Sequence, residues 1–250
     1  MGIFKRLFSR RERRAKINLV FPTSWETMTI KQFKSVSIIL SNKKIDRRRG
    51  LFLCLCSLSG IRPLNPEKVH TKKTYRNVQP FLVDGQVHLI STSAIAEACN
   101  SLAYIYDNIG LPPCPIDRVN HMLYGISFRQ FFTADSFFLR YMADNNVAFI
   151  KEAVKQLTNG RKRKLAEWER TAALIWWNGV KAKLKQMYPA VFQEGSGFSS
   201  KTQAEILEDI LSSVNGNRPQ ENTAILSSEA HSVLHTLNKI YADAKQKSPR

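Results

Sequence analysis

The chain has 250 residues, of which 43% are hydrophobic, and carries a formal net charge of +18. That excludes a disordered tail and a small disulfide scaffold, and leaves one large or two small domains able to bury a core. A chain this basic is drawn to nucleic acid, anionic membrane or acidic protein surfaces.

The charge is uneven: residues 1–50 hold a net +11, residues 51–189 a net +8 and residues 190–250 a net −1. Residues 3–16 put Ile3, Phe4, Leu7 and Phe8 on one helical face, ringed by Arg10, Arg11, Arg13 and Arg14. This reads as a basic amphipathic arm over 1–20 that ends before Pro22. It lacks the apolar core of a signal peptide, so no signal-directed secretion is expected. A reducing compartment fits the four scattered cysteines, Cys54, Cys56, Cys99 and Cys114. No apolar run reaches the length of a membrane span.

The body, residues 21–192, begins with a helix entry. Thr29 and Gln32 have capping-box spacing, and Met28 and Phe33 have the spacing of a hydrophobic staple. The helix extends to about Ser41. A second helix is expected at about 46–58, capped by Asp46 and closed by Gly60, with Arg47, Arg48 and Arg49 in its first turn. Three cations beside the positive end of a helix dipole call for an anion close by.

Asp84-Gly85 between β-rich runs predicts a type I′ hairpin over about 78–90. A helix capped near Ser93 is expected to continue to Gly110, and the spacing over 117–158 predicts three aromatic-rich helical segments. Residues 164–188 read as the longest helix, apolar on two faces: Leu165, Trp168, Ala172, Ile175 and Gly179 on one, Leu174, Trp177, Val180 and Leu184 on the other. A helix of this kind sits inside a core. Residues 193–200 (QEGSGFSS) read as a linker. After it, Ser200 and Gln203 are spaced as a capping box opening a C-terminal helical hairpin over 198–250. The expected fold is mainly α: a multi-helix domain with one small β-hairpin and a C-terminal helical pair.

No phosphate loop, dinucleotide fingerprint, HExxH or GxSxG motif is present. His231 and His235 share a helix face at i, i+4, but no cysteine accompanies them, and solvated or half-buried histidines explain the pair better than a metal does. Cys54 and Cys56 point about 200° apart on a helix, which favours core packing. No catalytic, cofactor or metal residue is expected, and the chain reads as a non-enzyme. Four basic clusters remain, at 10–16, 43–49, 72–76 and 161–164, the last being Arg161, Lys162, Arg163 and Lys164. They are the expected anion-binding residues; any nucleic acid would be held through its phosphates. Trp25, Phe4 and Phe8 are the expected protein contacts.

The stretch PTSWETMTIKQFKSVSIIL resembles a phrase found in proteins of tailed phages and prophages, P-x-x-W-x-x-(M/L)-T-x-x-Q-(F/L) ahead of an all-helical body. The matching positions are Pro22, Trp25, Met28, Thr29, Gln32 and Phe33. Residues 173–192 and 234–245 are similar to later helices of such proteins. The basic arm and the Asp84-Gly85 hairpin lie outside the resemblance. It implies a tail-assembly-chaperone-like or other virion-morphogenesis protein, acting without catalysis on other virion proteins, as a homo-oligomer among the options, in the host cytoplasm or the virion. The charge supplies the alternative, a nucleic-acid-binding accessory protein.

Overall fold

The computed structural model describes residues 19–65, 77–107, 109–161, 164–192 and 202–247. The fold is mainly α with one small antiparallel sheet. The first half comprises α1 (Ile30–Ser41), α2 (Arg47–Ser59), β1 (Arg62–Pro63), β2 (Val78–Val83), β3 (Gln86–Ser91), α3 (Thr92–Ser101) and α4 (Tyr104–Asp107). The second comprises α5 (Phe128–Asp144), α6 (Val147–Leu157), α7 (Glu167–Met187), α8 (Gln203–Asn215), α9 (Asn222–Ser227) and α10 (Ala230–Lys247).

Local chemistry explains the element starts. Thr29 and Gln32 form the capping box of α1: the Gln32 Oε1 accepts from Thr29 N at 2.9 Å, and Gln32 N donates to Thr29 Oγ1 at 3.3 Å. Asp46 caps α2 by accepting from Arg49 N at 2.9 Å, and Gly60 closes that helix with φ 71°. Ser127 and Gln130 repeat the box at α5. Asp84 and Gly85 both take positive φ, 48° and 77°, so the β2–β3 turn has the twist a two-residue hairpin needs. Arg62 and Pro63 add a third strand against Leu82 and Phe81 of β2. Proline is tolerated there because β1 is an edge.

Three expectations need correction. The helix expected from Ser93 to Gly110 is two: Ser91 caps α3, and after Ser101 the chain tightens into i→i−3 bonds (Leu102 N to Cys99 O, 3.1 Å) before α4 begins. The break lets Leu102 be fully buried and sends the Tyr104 hydroxyl to Pro22 O at 3.1 Å. Residues 117–126 are turns, because Arg118, Leu123 and Gly125 adopt left-handed φ of 64°, 67° and 77°. Ile116, Val119, Leu123 and Ile126 are nonetheless buried; successive turns brought inward every three or four residues imitate a helical period. The cap of α8 is Thr202 with Glu205, two residues later than expected; Ser200 lies outside the described residues. A carboxylate accepts more strongly than an amide and also favours the helix dipole.

Two apolar clusters make the core, and α7 contributes to both. Trp25, Phe33, Leu55, Phe81, Leu102 and Ala172 belong to the first, with Trp168 and Ile175 packed on it. Phe128, Phe138, Ile150, Trp176, Trp177 and Leu237 belong to the second. The two-faced reading of α7 is thus realised except at Leu165, which precedes the helix and lies in the second cluster, and α1 packs along it. Trp177 lies stacked on Phe138 with centroids 4.5 Å apart, and its Nε1 donates to Asp135 Oδ1 at 3.0 Å. Lys181 pairs with the other carboxylate oxygen of Asp135 at 2.6 Å.

Gly179 sits mid-helix where the chain over 110–112 crosses α7. A Cβ there would lie 2.6 Å from Pro112 Cδ and 2.9 Å from Gly110 O. Glu26 holds the same crossing from outside: Leu111 N donates to its Oε1 at 3.1 Å. Burial alone would raise the Glu26 carboxyl. Hydrogen bonds from its own backbone N–H, Leu111 and Ser24, with Lys183 nearby, outweigh that and hold it below the ordinary value.

Val233, Leu234 and Leu237 of α10 are buried in the second cluster beside residues of α5, α6 and α7. The entry to α10 is stitched to the start of α5: Phe128 N donates to Ser228 O at 2.8 Å, Ala230 N to Ile126 O at 2.9 Å, and Gly125 N to Glu229 Oε1 at 3.0 Å. Buried His231 bridges Met122 O through Nε2 (2.7 Å) and the Tyr188 hydroxyl through Nδ1 (2.8 Å). A carbonyl only accepts, so Nε2 carries a proton, and in the neutral ring Nδ1 accepts from Tyr188.

Two outcomes are expected. Gly179→Ala improves helix propensity by about 1 kcal/mol. The overpacking against backbone costs about 1–3 kcal/mol and wins, so the urea midpoint falls. Glu26 has a depressed folded pKa, so its stabilisation is present above the ordinary Glu value of about 4.3 and is lost as pH falls through the folded pKa. Glu26→Gln is therefore less stable than the parent at neutral pH, and the gap narrows as pH falls through the folded pKa in urea titrations.

Candidate functional site

An open cleft of about 780 Å³ lies between α2 and α3, within the size range of ligand clefts. The first turn of α2 supplies one rim. Arg47, Arg48 and Arg49 all line the cleft and are exposed, with Asp46 beneath them committed to capping. No acidic residue stands in that first turn. α3 supplies the opposite wall: Thr92, Ile95, Ala96, Cys99 and Asn100 fall on one stripe at helical spacing. Leu51 and Phe52 of α2 add apolar surface, and Gln79 of β2 is a polar flank. Phe52 is propped by Phe81, centroids 6.2 Å apart.

Arg47 has its anion. Its Nη2 lies 2.7 Å from Asp107 Oδ1, and its guanidinium sits over the Tyr106 ring at 5.6 Å. Gly50 makes room for that ring, because a Cβ at Gly50 would run into the Tyr106 hydroxyl. The pair is about half exposed, so it contributes under about 1 kcal/mol. Among the described residues, no carboxylate pairs with Arg48 or Arg49.

The thiols near the cleft are poor nucleophiles. Burial pushes Cys54 up to about 12 and Cys56 to about 11, each with a further contribution from Cys99, and burial raises Cys99 itself. Cys114 is pushed by burial to about 12, with its hydrogen bond to the Ile116 backbone acting the other way. All four are free thiols. Among the described residues, no three His, Cys, Asp or Glu side chains gather as metal ligands do. Of the two histidines singled out by spacing, His231 is consumed by Tyr188 and Met122 and His235 is exposed.

The remaining sequence-expected residues scatter. Arg161 and Lys164 are exposed around the turn before α7. Trp25 is fully buried, edge-on to Phe33 and Tyr104 at 5.4 Å each, so as folded it offers no surface to a partner. Arg10, Arg11, Arg13, Arg14, Phe4, Phe8, Lys162, Arg163 and the 72–76 cluster lie outside the described residues. The α3 wall of the cleft was not expected from sequence. Its signal was the 92, 95, 96, 99, 100 stripe, whose partly polar content reads as a helix surface until α2 is set opposite. A second, smaller cleft of about 450 Å³ brings Lys43 and Arg170 together with Glu167, Met142 and Leu174.

Compared with known proteins, the chain matches no family model, no curated protein and no solved structure.

Alkylation with iodoacetamide near neutral pH is expected to leave Cys54 and Cys114 unmodified in the folded protein, because little thiolate forms at either. Both should react once the chain is unfolded in urea, as read by intact and peptide mass.

Proposed function

We propose that the protein is a non-catalytic assembly protein of a phage virion, working through contacts with other virion proteins in the host cytoplasm or the virion. The observation that supports this best is the cleft: two arginines without a carboxylate partner stand over apolar surface, beside thiols kept protonated. Such a site suits recognition and offers no nucleophile, acid–base pair or oxyanion cradle. The Pro22-to-Phe33 phrase that carries the resemblance is a helix-entry device, with Met28 and Phe33 buried in the first cluster and Trp25 as its anchor. A phrase of that kind bears on a scaffold rather than on a reaction. No helix among the described residues is long and apolar enough to cross a membrane.

A second reading, a nucleic-acid-binding accessory protein, is favoured by the net +18 and by exposed Arg48, Arg49, Arg161 and Lys164. The two readings separate in solution. Assembly predicts that the tagged chain co-purifies with virion proteins encoded beside its gene, and retaining none of them overturns that role. Phosphate binding predicts DNA or RNA affinity that falls steeply with salt and weakens on removing residues 1–16; no binding at about 50 mM salt removes it.

A further inference from the structure

We infer that the α2–α3 cleft receives an acidic amphipathic helix of a partner protein. The inference rests on the assembly reading and names the kind of segment that the site takes. Three features of the cleft argue for it together.

The rim is short of counter-charge: Asp46 is committed to capping α2 and Asp107 to Arg47. Arg47, Arg48 and Arg49 occupy the first turn of α2, where the helix dipole already disfavours cations, and only Arg47 meets a carboxylate among the described residues. Carboxylates brought in by a partner would answer Arg48 and Arg49, forming charge-assisted hydrogen bonds that guanidinium groups favour. The surface between the walls is apolar: Phe52 and Ala96 open onto a cleft of about 780 Å³, with Leu51 and Ile95 buried behind them in the first cluster. A phosphodiester backbone would satisfy the arginines and leave that surface wet. A helix with leucine-like residues on one face and glutamates along its flank satisfies both, as in other helix-in-groove contacts. Finally, the walls are two packed helices whose geometry is already set by caps at Asp46 and Ser91, so little ordering is needed on docking.

A second copy of the chain is a poorer occupant. Its own acidic amphipathic helix, α8, has Leu207, Ile210 and Val214 already packed on the second cluster. Those side chains are unavailable to fill another molecule's cleft.

The test uses the full chain and a fluorescein-labelled synthetic helix of about 16 residues, with Leu at i, i+3, i+4 and i+7 and Glu on the flanks. A scrambled peptide of the same composition is the control for charge alone. Anisotropy at about 150 mM salt, where long-range attraction is screened, should show the amphipathic peptide binding at least about tenfold tighter than the scrambled one. The double variant Arg48→Glu/Arg49→Glu should lose at least about tenfold in affinity through the rim. Ala96→Trp, at an exposed position of α3, should lose as much by filling the cleft while leaving every charge in place. Circular dichroism melts confirm that both variants fold. Equal binding of the two peptides, or undiminished binding by either folded variant, overturns the assignment. Displacement of the peptide by oligothymidine, with oligothymidine binding itself lost in the Arg48→Glu/Arg49→Glu variant, would assign the cleft to phosphate and overturn it too. Co-purification of virion proteins with the wild type judges the assembly role separately, so failure of the peptide result falls on the cleft alone.

Discussion

Both apolar clusters of this fold meet on one helix, α7, which is covered along residues 168–181 and exposed again towards Met187. α7 gives Ala172, Trp168 and Ile175 to one apolar cluster and Ala173, Trp176, Trp177 and Val180 to the other. A helix so enclosed has to let its neighbours come close at some positions and hold them apart at others. Gly179 and Ala172 do the first, the paired indoles of Trp176 and Trp177 the second. The polar atoms of those indoles are led out of the core to His121 O and Asp135, at 3.0 Å each, which keeps their burial free of an orphaned donor. Trp25 and Ser37 do not achieve this: the Trp25 Nε1 and the Ser37 hydroxyl have no partner among the described residues. The first cluster therefore carries a polar cost that the second avoids.

Much of this was legible in the residues, for identifiable reasons. Capping is local chemistry within a four-residue window, so Thr29 with Gln32, Asp46, and Gly60 could be placed from spacing alone. Asp84-Gly85 was legible because few residues accept two successive positive φ angles. The double stripe of α7 was legible because Trp and Leu on two sides of a long helix leave it nowhere to go but inward. What misled was periodicity without helix. Ile116, Val119, Leu123 and Ile126 repeat at helical intervals, yet Arg118 and Leu123 turn left-handed, a choice that only the surrounding packing imposes. Overlapping boxes at Ser200–Gln203 and Thr202–Glu205 could be ranked only by noticing that one ends in a charge. The short strand β1 had no pattern to show, being two residues long and half proline.

The cleft was half legible. Its arginines announced themselves as a conflict with the helix dipole, and that conflict was resolved for Arg47 by a residue 60 positions away, Asp107. No reading of local sequence could supply that pairing, because the break between α3 and α4 is what turns Asp107 toward α2. The Thr92–Asn100 stripe becomes a wall because α3, capped at Ser91, packs beside α2. Trp25 shows the converse. Its prominence in the sequence reflects burial, which is the commoner fate of a tryptophan beside a hydrophobic staple.

The bonds that clasp α10 to the loop before α5 join residues more than a hundred positions apart, as Met122 with His231 and Gly125 with Glu229. During synthesis the loop over 117–126 therefore emerges long before the segment that satisfies its carbonyl and amide groups. The second cluster stays open along the side that Val233, Leu234 and Leu237 later cover. The final closure of this half of the molecule is then a late, long-range event, with an entropic cost that local contacts cannot offset earlier. Until it happens, the nascent chain shows an apolar trough that its own last helix is shaped to fill.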